Sequence, residues 1–210
     1  MKTSKRLVPV AALFAFALGA CGPAADAPEP PAEVTVAVQE APGCFLRGAT
    51  PAEAAERASP LDSATVVLGN AEAKVCYGAP SMNDREIMGE LVPFDEPWRT
   101  GANEATGLHL TFPATVAGVP LQPGSYSLYT IPTSGDWEVV VNSEHERWGI
   151  PINEEVRGMD VGSATVTPET ISAPVERMRF SFDQISDTEA HLVMEWETTR
   201  LRIPVVHTGG

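Results

Sequence analysis

From Ala64 onward, apolar and polar positions alternate with a period of two, the signature of half-buried strands. The pattern is clearest late in the chain. Met178, Phe180 and Phe182 share one face, with Arg177, Arg179 and Ser181 on the other. Leu192, Met194 and Trp196 oppose His191 and Glu195, and Leu201, Ile203 and Val205 complete the set. Earlier, residues 65–68 and 73–77 flank Gly69-Asn70 and predict a hairpin. Further strands are expected at 107–112, 125–131, 137–142, 164–167, 176–182, 190–197 and 200–206. Gly118-Val119-Pro120, Pro123-Gly124, Ser134-Gly135-Asp136 and Ser186-Asp187 supply turns between them. Close spacing without long helical stretches predicts an all-β domain, an antiparallel β-sandwich that is jelly-roll-like or a flattened barrel. One short helix is expected over 51–58, because Thr50-Pro51-Ala52-Glu53 has capping-box spacing with proline at the first helical position. The gap from Asn142 to Gly162 carries Trp148-Gly149-Ile150-Pro151 and reads as a binding lid or an edge cover.

The front of the chain follows other rules. Lys2, Lys5 and Arg6 precede an apolar run from Leu7 to Leu18 that is too short to span a bilayer, which predicts an export signal over 1–20. Leu18-Gly19-Ala20-Cys21 resembles a bacterial lipobox, with cleavage before Cys21 and lipid on its sulfur. Acyl chains there would make the membrane a partner through Cys21. Gly22 is not the aspartate associated with inner-membrane retention, so the expected location is the outer membrane, facing the periplasm. Residues 21–43 are rich in Pro, Ala and Glu and read as a tether, leaving 44–207 as a single β-sandwich domain.

Export changes the reading of the other two cysteines. In an oxidising compartment Cys44 and Cys76 are expected to form a disulfide, pinning the front segment to an early strand. Charge narrows the partners. Fourteen basic residues against 28 acidic ones leave −14, and loss of the signal would deepen this to −17, with Lys74 the one remaining lysine. Such a surface argues against nucleic acid and anionic membrane surfaces as partners.

No G-x-S-x-G elbow, H-E-x-x-H pair or phosphate-cradling glycine loop is present. His109, His145, His191 and His207 are scattered, so neither a metal site nor a cofactor is assigned. The densest chemistry lies in Trp98-Arg99-Thr100-Gly101-Ala102-Asn103-Glu104-Ala105-Thr106. Arg99 offers a planar fork for carboxylate, phosphate or sugar diols, and Trp98 a stacking face. Asn103 and Glu104 would orient a ligand. Glu104 is the candidate acid or base, with His109 assisting from the adjoining strand. The plainer alternative makes the stretch an internal lock, with Arg99 paired to Glu104 and Asn103 in a left-handed turn.

Tyr77-Gly78-Ala79-Pro80, Arg85 with Gly89, Trp98 to Thr106, Pro123-Gly124-Ser125-Tyr126-Ser127-Leu128 and Ile131-Pro132 before Trp137 occur in that order. Together they resemble the bacterial family called domain of unknown function 2911, over about residues 59–206. The resemblance implies an exported, mostly β domain with no assigned activity. Arg85, Trp98, Arg99, Thr100, Gly101, Asn103, Glu104 and Thr106 match its motif. Cys76 and Gly78 depart from the usual polar residues around that tyrosine. The expected function is a non-enzymatic envelope lipoprotein binding a small anionic or sugar-like ligand, or an envelope partner. Arg85, Trp98, Arg99, Thr100, Asn103, Glu104 and Thr106 form its expected site. The alternatives are a glycan-acting hydrolase or lyase using Glu104, and a purely structural lipoprotein.

Overall fold

Strands with one apolar face must pair edge to edge and stack face to face, and two antiparallel sheets result. The computed structural model describes residues 37–209; the export signal, Cys21 and most of the expected tether lie outside them. A six-stranded sheet runs in the order β1 (Leu61–Leu68), β2 (Ala71–Gly78), β3 (Ala102–Leu110), β6 (Gly124–Ile131), β7 (Trp137–Asn142), β8 (Asp160–Val166). A four-stranded sheet runs β5 (Val119–Leu121), β4 (Ala114–Val116), β10 (Glu189–His207), β9 (Glu169–Gln184). The all-β sandwich forms, and its two sheets do not close into a barrel. Two helices accompany them. α1 (Pro51–Ala55) has the expected capping box from Thr50 and Glu53 and is shorter than predicted; α2 (Glu154–Arg157), capped by Asn153, lies inside the long gap and was not expected.

The core is the set of inward side chains that the alternation marks. Val75, Leu108, Leu128, Val139 and Val141 meet Met178, Phe180, Leu192, Met194, Trp196, Leu201, Ile203 and Val205. Tyr77 also ties the sheets together. Its ring meets Phe180 edge-on, and its hydroxyl donates to Asp62 and accepts from the Phe180 N–H at 2.9 Å. The two last predicted strands are one strand, β10. Inward residues change from even to odd numbers between Trp196 and Leu201, and the break is a bulge rather than a turn. Glu197 takes φ 53°, and the register with β9 shifts on both sides of it. Residues 114–121, read as turn sequence, instead form the small β4–β5 hairpin at the sheet edge.

The ordered domain begins earlier than position 44. Gln39 bridges Ala71, and the Ala41 N–H donates to Glu72 at 3.4 Å. The Cys44–Cys76 disulfide is present, with the two Cα atoms 5.6 Å apart.

Candidate functional site

The Trp98–Thr106 stretch enters β3 through a bulge. Cys76 pairs with Gly107 and Gly78 with Ala102, so one β2 residue faces four β3 residues between those pairs. The surplus arches away from β2 and finds another partner. Residues 147–149 run beside it, with Gly149 N–H donating to Asn103 C=O at 2.8 Å and Ala105 N–H to Arg147 C=O at 3.1 Å. The long gap is thus an edge cover for the bulge. Glycine is required at its closest points. A Cβ on Gly78 would lie 2.3 Å from the Ala102 carbonyl oxygen, and one on Gly149 would lie 2.3 Å from Arg99 Cδ.

The stretch divides into two sets of side chains. The first is consumed internally. Thr100, at φ 51°, is strained for a β-branched residue. It is held because its hydroxyl meets the Trp98 carbonyl and the Thr130 hydroxyl, while Thr106 donates to its carbonyl at 2.9 Å. Asn103, at φ 63°, donates from its amide to the Ser59 carbonyl at 2.7 Å. Glu104 is 7% exposed and accepts from Arg47 N–H at 3.0 Å and Arg57 Nη1 at 2.8 Å. It does not pair with Arg99.

The second set opens outward. Trp98 stacks on Trp196 at 5.9 Å and meets Trp137 edge-on. Beside it, a cleft of about 350 Å³ is lined by Arg85, Leu91, Glu96, Trp98, Arg99, Ile150 and Trp196, among others. Half-buried Arg99 donates Nε to the Gly101 carbonyl at 3.2 Å and forms no ion pair among the described residues. Burial lowers its pKa because the cation has lost water without gaining a carboxylate. Arg85 is exposed and uses Nε and Nη2 on the Met82 and Ser81 carbonyls. Of the expected site residues, Arg85, Trp98 and Arg99 share the cleft. Thr100, Asn103, Glu104 and Thr106 do not line it.

His109 lies elsewhere, under the disulfide-pinned front segment. Its Nδ1 meets Ser125 Oγ at 2.8 Å, and its buried Nε2 has no hydrogen-bond partner. Glu104, His109, His145 and Phe45 line a small cavity there, walled off from the Arg99 cleft by β3 itself. Burial drops the His109 pKa to about 4, with smaller contributions from His145 and Lys74. Among the described residues, no three His, Cys, Asp or Glu side chains gather closely enough to hold a metal ion.

Trp196, Ile150 and Leu91 join the cleft from distant positions, and only Ile150 carried a sequence signal, as part of the expected lid or cover. Arg57 and Trp148, which lie 5.9 Å apart as a cation–π pair, had no signal linking them. A larger open concavity of about 860 Å³ runs along the outer face of β9 and β10. Its guanidiniums are already committed: Arg179 and Arg200 both clasp Glu195, and Arg200 also reaches Glu169. The Arg99 cleft is smaller but has an uncommitted cation, which makes it the better candidate.

No curated protein and no solved structure matches this chain. One family does, described as a protein of unknown function (DUF2911), over residues 59–205. That span takes in all ten strands to within two residues of the end of β10, together with the whole Arg99 cleft. The chain is a member of the DUF2911 family.

Proposed function

We propose that this protein is a lipid-anchored binding domain of the bacterial cell envelope, holding small amphipathic anions in the Arg99 cleft. One observation carries the ligand half: Arg99 is a half-buried guanidinium facing a cleft, with no acidic partner among the described residues. A desolvated, unpaired cation is costly unless something completes it, and a guanidinium fork suits a carboxylate or phosphate. The surrounding chemistry sets the rest of the ligand. Trp98 and Trp196 present indole surface, Leu91 and Ile150 an apolar rim, and Glu96 is the one acid against two arginines. A compact molecule with an apolar body and a single anionic group fits this lining.

The anchoring half rests on the lipobox-like Leu18-Gly19-Ala20-Cys21 after a basic, then apolar, start. The glycan-acting alternative loses its acid, because both oxygens of Glu104 are occupied by Arg47 and Arg57 and the side chain is absent from the cleft lining. The purely structural alternative keeps support of its own. Thr100, Asn103 and Thr106 serve the fold through internal hydrogen bonds.

Tryptophan fluorescence of the full chain in detergent, titrated with 4-phenylbutyrate and with its neutral amide, tests the cleft. The carboxylate is expected to bind and the amide to bind much more weakly. Arg99→Gln should weaken the carboxylate by roughly ten- to a hundredfold, the loss of one charge-assisted contact. Equal response to acid and amide, or none to either, would refute the anion site. Incorporation of labelled palmitate, abolished by Cys21→Ala, is the expected result for the anchor.

A further inference from the structure

The segment from Gln39 to Arg57 precedes the family-matched region and lies against the outer side of β2 and β3. Its own apolar anchoring is thin: between residues 37 and 58, Ala54 alone is buried. The cross-link from Cys44 to Cys76 fastens it near its middle. From there the contacts lead to the cleft. Arg47 N–H and the Arg57 guanidinium both hold Glu104, and α1 lies between them. The same guanidinium covers the Trp148 indole. Gly149 packs its backbone on the Arg99 stem, and Ile150 forms part of the cleft wall. Ser59, two residues after Arg57, also lines the cleft and accepts the Asn103 amide.

We propose that this segment is a redox-fastened clasp that holds the Arg99 cleft in shape, with Arg57 as its positioning residue. Its effect on affinity rests on the reading of that cleft as a ligand site, whereas its effect on the wall does not. A dithiol reductant would deliver two electrons and two protons to the sulfur–sulfur bond. Cys44 and Cys76 would become thiols, and the reductant would close to its own disulfide. The clasp would then depend on polar contacts that compete with water, chiefly those to Glu104 and Glu72. Loosening it releases Trp148, and with it the residues that pack on Arg99.

The experiment compares four states of the full chain: oxidised, reduced with dithiothreitol, Cys44→Ser/Cys76→Ser, and Arg57→Gln. Hydrogen exchange is followed at the Gly149 and Ala105 amides, which bond to Asn103 and Arg147. Opening of the clasp should speed both by about tenfold or more while the β6–β7 amides keep their protection. Binding of 4-phenylbutyrate should weaken by about fivefold in the last three states, the scale of coupling between linked sites. Unchanged exchange at Gly149 and Ala105 in both the double-serine and Arg57→Gln proteins would overturn the clasp. Faster exchange together with no 4-phenylbutyrate binding even in the oxidised wild type would support the clasp and refute the anion cleft. If the double-serine protein loses protection everywhere, Arg57→Gln decides: local loss supports the clasp, and none overturns it.

Discussion

Glu104 and Arg99 sit five positions apart in one motif and point into different surroundings. Glu104 closes a half-buried ion pair with Arg57 at 2.8 Å and also takes a backbone N–H. Removing its charge leaves Arg57 with a weaker partner, so Glu104→Gln should destabilise the fold by about 2 kcal/mol. Thermal unfolding followed by circular dichroism should then show the midpoint lower by about 4–8 °C. His109 makes a different prediction. Its folded pKa of about 4 lies below the ordinary value of 6.5 because burial penalises the charged ring. Between those values the unfolded chain binds more protons than the folded one, so stability is complete above about pH 6.5 and falls as pH drops towards 4. Urea midpoints at pH 7, 5.5 and 4.5 should show that decline in wild type and a flatter profile in His109→Asn.

At the scale of elements, the site exists because β3 carries more residues than its partner strand needs. The bulge turns Arg99 and Glu104 apart, and the 147–149 segment satisfies the backbone groups that β2 leaves unpaired. Gly149 is the tightest point of that arrangement. A methyl group there meets the Arg99 stem at 2.3 Å and the backbone oxygens of Asn103 and Glu104 at 2.9 and 3.1 Å. Backbone cannot move aside as a side-chain tip can. Gly149→Ala is therefore expected to cost about 2–3 kcal/mol, the range of an overpacked interior site, and to displace Ile150 from the cleft wall. Chemical denaturation and the 4-phenylbutyrate titration would read the two effects separately. The long β9–β10 ribbon follows the same physics on the opposite sheet. Its bulge at Glu197 lets both halves of β10 face the core, and Glu195 outside is clasped by Arg179 and Arg200.

For the whole molecule, the sandwich supplies a core large enough to stand alone, while the front segment depends on its covalent link. Closing 32 residues between Cys44 and Cys76 removes unfolded-chain entropy worth about 3–4 kcal/mol. Cys44→Ser/Cys76→Ser should lower the denaturation midpoint accordingly, and serines in place of the bridge should leave the far-ultraviolet spectrum that of a β protein. Full loss of β signal at 25 °C would mean that the cross-link holds the sandwich itself together.

Alternation of side chains was enough to specify the all-β class, the β1–β2 hairpin, the inward sets on β9 and β10, and the helix start at Thr50, because each depends on neighbours a few residues away. The export signature and the cysteine count likewise pointed to one disulfide, through compartment and number rather than geometry. The single β10 strand was read as two because a bulge and a turn both interrupt a period of two. The β4–β5 hairpin was missed because its glycine and proline resemble a plain turn. What only the tertiary structure decided is which polar groups are spent and which remain. Arg57 reaches Glu104 across 47 positions, and Trp196 comes to Trp98 from the other sheet. The uncommitted guanidinium of Arg99 is what those long-range pairings leave over, and no local pattern records it.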